Sequence, residues 1–320
     1  MRFRKIIAVI AAAALGVSLC GCTSPEKSEI SGKLKVIATI FPAYDFARQV
    51  FGDTADVKML LKPGQESHSY DPSAKDIVEI SGCDLFVYNG GESDQWVESV
   101  LKSAPEVETF RMTDAVSLLD EEVTEGMQNA GEHDHDEEEH EDEHEDEYDE
   151  HVWTSPDNAS AIVKALGKRA AELFPENADS VTANADSYAG KIDELDAKFA
   201  ELLSGEERYF IFGDRFPLLY FFRHYGLNYY AAFPGCGSET EPSAQTMTFL
   251  LDKLRQPDSV PAVFCIELSS RRLGEVLAED SGLPVVEFHT CHNISADDLA
   301  AGETYVSLME RNYEVLSDIL

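Results

Sequence analysis

Histidine is the residue type with the most chemistry to offer here, and its nine copies are unevenly placed. Five lie between Gly131 and Trp153, in GEHDHDEEEHEDEHEDEYDEHVW, among fourteen carboxylates. His133, His135, His140 and His144 stand where almost nothing is apolar. Ordering entropy and self-repulsion keep such a run open, as a solvated loop of weak imidazole and carboxylate donors. His151 is different, because it marks where the acid run stops and ordered sequence resumes at Val152-Trp153. His68 lies in Pro63-Gly64-Gln65-Glu66-Ser67-His68-Ser69-Tyr70-Asp71-Pro72, between a strand-like run and a helix. His289 and His292 form Phe288-His289-Thr290-Cys291-His292-Asn293 after another strand-like run. Taken singly, each reads as a hydrogen-bonded surface or cap histidine. Taken together, in loops and on an exported chain, they point to a zinc site of nitrogen donors. His224, in the aromatic helical run YFFRHYGL, reads as a packing or surface residue.

One literal match misleads. His140-Glu141-Asp142-Glu143-His144 fits the HExxH pattern of zinc proteases, but that motif works only on a helix, with its glutamate polarising zinc-bound water. Like charges at i,i+4 oppose a helix in this run. With no GxSxG elbow, P-loop or GxGxxG present, no enzymatic activity is expected.

The elements that must position the histidines follow from periodicity. VIATIF, VKMLL, LFVYN and VETF alternate with helical stretches over Ser73–Gly82 and Ser93–Leu101, the rhythm of β/α units with a parallel sheet. RYFIFG, NYYAAF, AVFCIEL and PVVEF repeat it, with helices near Pro217–Tyr225, Ser243–Leu254, Arg271–Ser281 and Gly302–Leu320. Two α/β lobes of similar size result, 33–175 and 206–320. Between them Val181, Ala185, Tyr188, Ile192, Leu195, Phe199 and Leu202 form one stripe of a helix over 176–205. At about 1.5 Å per residue that helix reaches about 43 Å, the width of a domain. It is either a spine joining both lobes or an ordinary amphipathic helix within one. Ligand sites in open α/β sheets gather at the carboxyl ends of strands, where His68, His151, His289 and His292 stand.

The remaining sequence sets compartment and charge. The 320 residues, 43% hydrophobic, can build one large or two medium cores, and their net charge of -36 argues against nucleic acid or anionic membrane as partners. Arg2, Arg4 and Lys5 precede an apolar run from Ile6 to Leu19 and then Cys20-Gly21-Cys22, the pattern of a signal peptide (1–21) ending in a lipobox. Cleavage leaves Cys22 to carry a diacylglycerol, with 22–32 as the tether. Cys83 and Cys265 lie in apolar runs and read as buried small hydrophobes. Cys236 and Cys291 lie in loop-like sequence, either as a disulfide or as two free thiols.

Pro63-Gly64 to Pro72, Tyr88-Asn89-Gly90-Gly91 to Trp96, Glu150 to Pro156, Tyr225-Gly226-Leu227 and Glu239 to Ser243 carry a further reading. In these motifs, across nearly the whole mature chain, the sequence resembles the zinc and manganese solute-binding lipoproteins of ABC importers, the cluster A-I group. The resemblance implies two Rossmann-like α/β lobes, each a mostly parallel four-stranded sheet with flanking helices, joined by one rigid helix. It implies one Zn2+ or Mn2+ held as cargo in the cleft of a monomer on the outer membrane face, and hand-over to a permease driven by an ATPase. The family's first two histidines fall on His68 and His151. Its third opens an HDAF-like motif that here reads Gly213-Asp214-Arg215-Phe216, so that histidine is absent. The family's acidic fourth ligand aligns with His289, which with His292 is expected to restore the nitrogen count, and Asp214 is the fallback. Such a nitrogen-rich set favours zinc over manganese. The acid loop, 130–150, either raises local zinc near the cleft, senses high zinc, or is an inert solvated insertion. An exported metallohydrolase using Glu66 or Glu150 as base, and a surface adhesin, are the alternative classes.

Overall fold

The first lobe runs β1 (Leu34–Ala38), α1 (Phe41–Phe51), β2 (Ala55–Met59), α2 (Ala74–Ser81), β3 (Leu85–Tyr88), α3 (Gln95–Ser103) and β4 (Thr109–Arg111). Two helices follow, α4 (Pro156–Leu173) and α5 (Ala178–Leu203). The second lobe runs β5 (Tyr209–Phe216), α6 (Leu219–Tyr225), β6 (Asn228–Pro234), α7 (Ala244–Leu254), β7 (Ser259–Ile266), α8 (Arg272–Ser281) and β8 (Val285–Phe288). It closes with α9 (Ala296–Ala301) and α10 (Tyr305–Ile319). This computed structural model describes residues 32–128, 148–205, 207–235 and 241–320.

Both sheets are four-stranded and parallel, in the orders β2-β1-β3-β4 and β6-β5-β7-β8. In each, the chain leaves its first strand toward one edge and then crosses to the other. That reversal opens a crevice at the carboxyl ends, the usual ligand position in such sheets. The central strands are continuous apolar runs because helices cover both faces. Val36, Ile37 and Ala38 of β1, Leu85, Phe86 and Val87 of β3, and Ala262 to Cys265 of β7 are all buried.

Two elements depart from the sequence reading. The expected strand VIATIF ends at Ala38, and Phe41 already opens α1 with Pro42 in its first turn. Proline presets a helical φ and lacks an N–H that the first turn cannot use anyway, so the residue pair starts a helix. The whole of α4 was absent from the periodicity argument, although Pro156 marks its start in the same way.

Helix α5 spans 26 residues after a 3-10 turn over Pro175–Asn177. It buries Val181, Ala185, Tyr188, Ala189, Ile192, Leu195 and Phe199, packing on α4 and α1 on one side and on α10 on the other. It therefore joins the lobes. Buried Asp45 of α1 fastens this junction: Oδ2 accepts from Tyr188 Oη at 2.5 Å and from the Tyr305 backbone N–H at 2.9 Å, while Arg48 Nε donates to Oδ1 at 2.7 Å. Truncating Ile192 to alanine in this stripe is expected to cost about 2–5 kcal/mol.

Of the cysteines, Cys265 is buried and Cys83 half-buried, both free, their thiols pushed up to about 12 and about 11 by burial. Cys291 is a free, fully buried thiol rather than half of a disulfide; Cys236 lies outside the described residues. Among those residues no helix is long and apolar enough to cross a membrane. Cys22, His133, His135, His140 and His144 also lie outside them.

Candidate metal centre

The first histidine arrives on the loop after β2. Lys62 to Pro72 is held against the second lobe by Asn293, whose Oδ1 accepts from Gly64 N–H at 3.0 Å and whose Nδ2 donates to Gln65 O at 2.6 Å. A third bond, from Gly64 N–H to Ile294 O at 3.1 Å, fixes the same turn. His68 follows, half-buried, with its Nδ1 3.8 Å from Glu150 Oε1.

The second arrives from the far end of the acid run, where order begins earlier than the sequence suggests. Tyr148 bridges to Asp120, and Asp149 and Glu150 are buried, so the final three residues of the expected open loop belong to the folded lobe. The reason is pairing, local for Asp149 and distant in sequence for Glu150. Asp149 Oδ1 accepts from the backbone N–H of His151 at 2.7 Å and pairs with its ring Nδ1 at 2.9 Å. A carboxylate accepts only, so Nδ1 carries the proton and Nε2 keeps its lone pair. Glu150 is fixed by Ser93 N–H to Oε2 at 3.0 Å and by Asn89 Nδ2 to its carbonyl at 2.9 Å. Gly91, at φ 108°, is obligatory here, since a Cβ would strike the Glu150 side chain. Behind this pair, burial first and then the charge of Glu150 raise the Asp94 carboxyl to about 7, although backbone N–H groups of Gly90 and Asn89 oppose the shift.

The second lobe supplies the loop after β8. Glu267, at the end of β7, accepts from Thr290 N–H at 2.8 Å and from its hydroxyl at 2.7 Å, and Thr290 Oγ1 in turn accepts from His292 N–H at 3.1 Å. Asn312 of α10 brackets His289, accepting from its N–H and donating to its carbonyl, each at 2.7 Å. His292 then meets Ser67 Oγ at 2.7 Å through Nε2, a hydroxyl able either to donate to that nitrogen or to accept from it.

The structure thus brings together His68, His151 and His292, with one ligand atom from each within 4.8 Å of the others. Their ring centroids are 5.3 to 6.1 Å apart, and Trp153 packs against both His151 and His292. Nε2 of His68 and Nε2 of His151 are buried without a hydrogen-bond partner among the described residues. Burial and the neighbouring His151 charge hold His68 below the ordinary imidazole value, with Glu150 opposing. Burial first, then His151 and His68, hold His292 well below it. For His151, burial disfavours the charge, but the contact with Asp149 and the charge of Glu150 outweigh it and raise the pKa. Two neutral imidazoles and a third backed by carboxylate form a donor set suited to a borderline-soft divalent cation.

His289, expected as a ligand, is not in this group. Its Nδ1 accepts the backbone N–H of Cys291 at 2.9 Å, holding that residue at φ 59° so that the loop turns His292 into the cleft. Asp214 is also elsewhere, its carboxylate accepting from Arg215 N–H at 2.9 Å and Ile266 N–H at 3.2 Å. Gly213 faces α8, where a Cβ would approach Gly274 Cα at 2.8 Å, and so has no room for a side chain. A register shift in β5 between Phe212 and Arg215 accompanies a different presentation of Arg215, which lines the cleft with Ser67 and His292. Sequence reasoning passed over Arg215; the only signal was its place in the motif that lacked the histidine. His224 sits on the surface of α6, 2.8 Å from Asp196 and edge-on to Tyr225.

Comparison with known proteins follows the same line. The profile of the family described as zinc-uptake complex component A, periplasmic (ZnuA) matches residues 36–319. The zinc-binding lipoprotein AdcA of Streptococcus pneumoniae is 30% identical over 314 residues, covering 98% of this chain and 60% of AdcA, so the chain spans about three-fifths of that relative. The high-affinity zinc uptake system protein ZnuA of Bacillus subtilis is 29% identical over 314 residues, covering 98% of this chain and 96% of its own. The Zn(II)-bound ZnuA-like domain of S. pneumoniae AdcA superimposes with TM-score 0.72 at 28% identity, over 90% of this chain and 99% of that one. The metal-dependent lipoprotein YcdH of B. subtilis does so with TM-score 0.74 at 26% identity and the same coverage.

Proposed function

The chain belongs to the periplasmic zinc-uptake component A family, and from that premise we propose that it is an extracytoplasmic solute-binding lipoprotein that captures Zn2+ between its lobes and delivers it to an ABC permease. The observation that carries this reading is the pair of orphaned, buried imidazole nitrogens of His68 and His151 converging with His292. Buried polar atoms without partners are costly unless a ligand completes them. A zinc ion does so at His151, whose Nδ1 is held by Asp149 so that Nε2 presents its lone pair, and at Nε2 of His68.

Zinc is favoured over manganese because the donors are nitrogens, whereas manganese prefers carboxylate and water oxygens. The zinc-binding names of AdcA and ZnuA support the same choice. No bond is made or broken. The cleft binds, and release follows docking on a permease driven by an intracellular ATPase. Export and anchoring rest on the segment 1–21, Cys22 as the lipidated residue and the tether 22–32. Lobes over 33–175 and 206–320, joined by the helix within 176–205, work as a monomer. His133, His135, His140 and His144 serve as weak accessory donors that raise zinc concentration near the cleft.

Calorimetric titration of the mature soluble chain with zinc and with manganese tests the reading. One tight zinc site that disappears in His68→Ala and in His151→Ala is expected, with weaker manganese binding. A tight site that survives both substitutions would place the metal elsewhere and overturn the proposal.

A further inference from the structure

We propose that zinc in this cleft takes its fourth ligand from a small carboxylate-type anion, and that Arg215 is the residue that holds this anion; the proposal rests on metal binding at the three histidines. Structural zinc sites close at four ligands, whereas a site with three protein ligands keeps a fourth position for water or another small ligand. Among the described residues the converging group offers three imidazoles and no fourth donor. The neighbouring acidic groups do not supply it: two are committed elsewhere and the third stands outside the converging group. Asp214 accepts two backbone N–H groups. Both oxygens of Glu267 hold Thr290. Glu150 ties Oε2 to Ser93 N–H, while its Oε1, buried without a hydrogen-bond partner among the described residues, stands 3.8 Å from Nδ1 of His68 and is not one of the converging ligand atoms.

Arg215 provides the independent observation. Its side chain is 15% exposed, and its only ion pair among the described residues is a single contact of 3.4 Å from Nη2 to Glu66 Oε2, a carboxylate left 46% exposed. Its Nε is buried with no acceptor among the described residues. A guanidinium carries five donors in a fork matched to a planar carboxylate, and a buried donor with no acceptor is expensive. The group lines a cavity of about 90 Å³ together with Glu66, Ser67, Thr290 and His292, large enough for a few water-sized groups and polar enough to be filled. A permanent cation beside a divalent metal repels it. An anion seated between the two, with one oxygen on the metal and the other on Nε of Arg215, converts that repulsion into two attractions. Arginine at this point in the cleft is then the residue that completes the coordination, by proxy.

The experiment is a zinc titration of the mature chain, against a competing chelator, in a buffer containing only weakly coordinating anions and again with millimolar bicarbonate or acetate. Wild type is expected to bind zinc about tenfold or more tightly with the added anion, the scale of one charge-assisted hydrogen bond. Arg215→Met is expected to lose that gain, and Arg215→Lys, which keeps charge without the fork, to retain only part of it. With cobalt as a spectroscopic probe, bicarbonate is expected to alter the visible absorption of wild type and not of Arg215→Met. Tight zinc binding indifferent to both anions in wild type would overturn the inference while leaving the proposed function intact. An equal anion gain in Arg215→Met would also overturn it. Absence of tight zinc in either buffer would instead remove the premise of metal capture.

Discussion

The two lobes share a sheet order and deliver opposite chemistry to the cleft between them. The first lobe brings two imidazoles with carboxylates behind them, Asp149 on His151 and Glu150 beside His68. The second brings one imidazole, His292, and a permanent cation, Arg215. The difference lies in the loops. In the first lobe, buried carboxylates sit within the ordered end of the acid run, where backbone N–H groups hold one oxygen of each and Oε1 of Glu150 is left beside His68. In the second, the carboxylates Asp214 and Glu267 are spent on backbone and on Thr290, shaping loops without joining the three imidazoles. A shared fold therefore fixes where ligands gather, and the loop sequences fix their charge.

The largest effect expected from breaking this asymmetry is on the first lobe. His151→Ala removes the donor with the least exposed side chain of the three and is expected to abolish tight zinc binding, measured by calorimetry. Asp149→Asn tests the support behind it. The altered side chain can still fill the space but no longer fixes a charge-assisted Nδ1–H contact, and a loss of about 10–100-fold in zinc affinity is expected. An affinity within a factor of two of wild type would mean that Asp149 only shapes the loop.

Protonation sharpens the comparison further. Zinc requires neutral imidazoles, so protons compete with it as pH falls. His68 and His292 are held below the ordinary imidazole value and stay neutral, while His151 is raised above it. Affinity is therefore expected to decline with falling pH from above the ordinary value of about 6.5, governed by the first lobe's histidine. In Asp149→Asn the onset of that decline is expected to move to lower pH, since the group that raises His151 is gone. A flat titration from about pH 8 to 5.5 would contradict histidine ligation.

The smallest effect on zinc is expected at His289, the second lobe's other histidine. His289→Ala is expected to leave zinc affinity nearly unchanged while costing about 1–3 kcal/mol in thermal unfolding, because the buried Cys291 N–H loses its acceptor. A large loss of zinc affinity with unchanged stability would return His289 to the ligand set.

Much of this was legible from residue order. The alternating apolar runs matched β1 to β8 closely, and the stripe from Val181 to Phe199 matched the buried face of α5, because periodicity of burial is written directly in residue type. Two helices were missed although each carries a proline start signal, at Pro42 and at Pro156; at Pro42 the preceding apolar residues read as a strand running through Phe41. The ordered residues Tyr148 to Glu150 were missed because burial of a carboxylate depends on partners distant in sequence, such as Ser93 and Asn89.

Residue types and their order determined the alternating α/β architecture, the long connecting helix and the candidacy of His68, His151 and the His289/His292 pair. Only the tertiary structure decided between the members of that pair, because His289 and His292 differ by three residues in a loop whose turn depends on Glu267 and Asn312 from other elements. It likewise turned Arg215, and not Gly213, toward the cleft, through a register shift in β5 and the close approach of α8. Helical and strand periods repeat along the chain and can be read locally. The direction of one side chain in a loop is set by hydrogen bonds across tens or hundreds of residues, which no local pattern encodes.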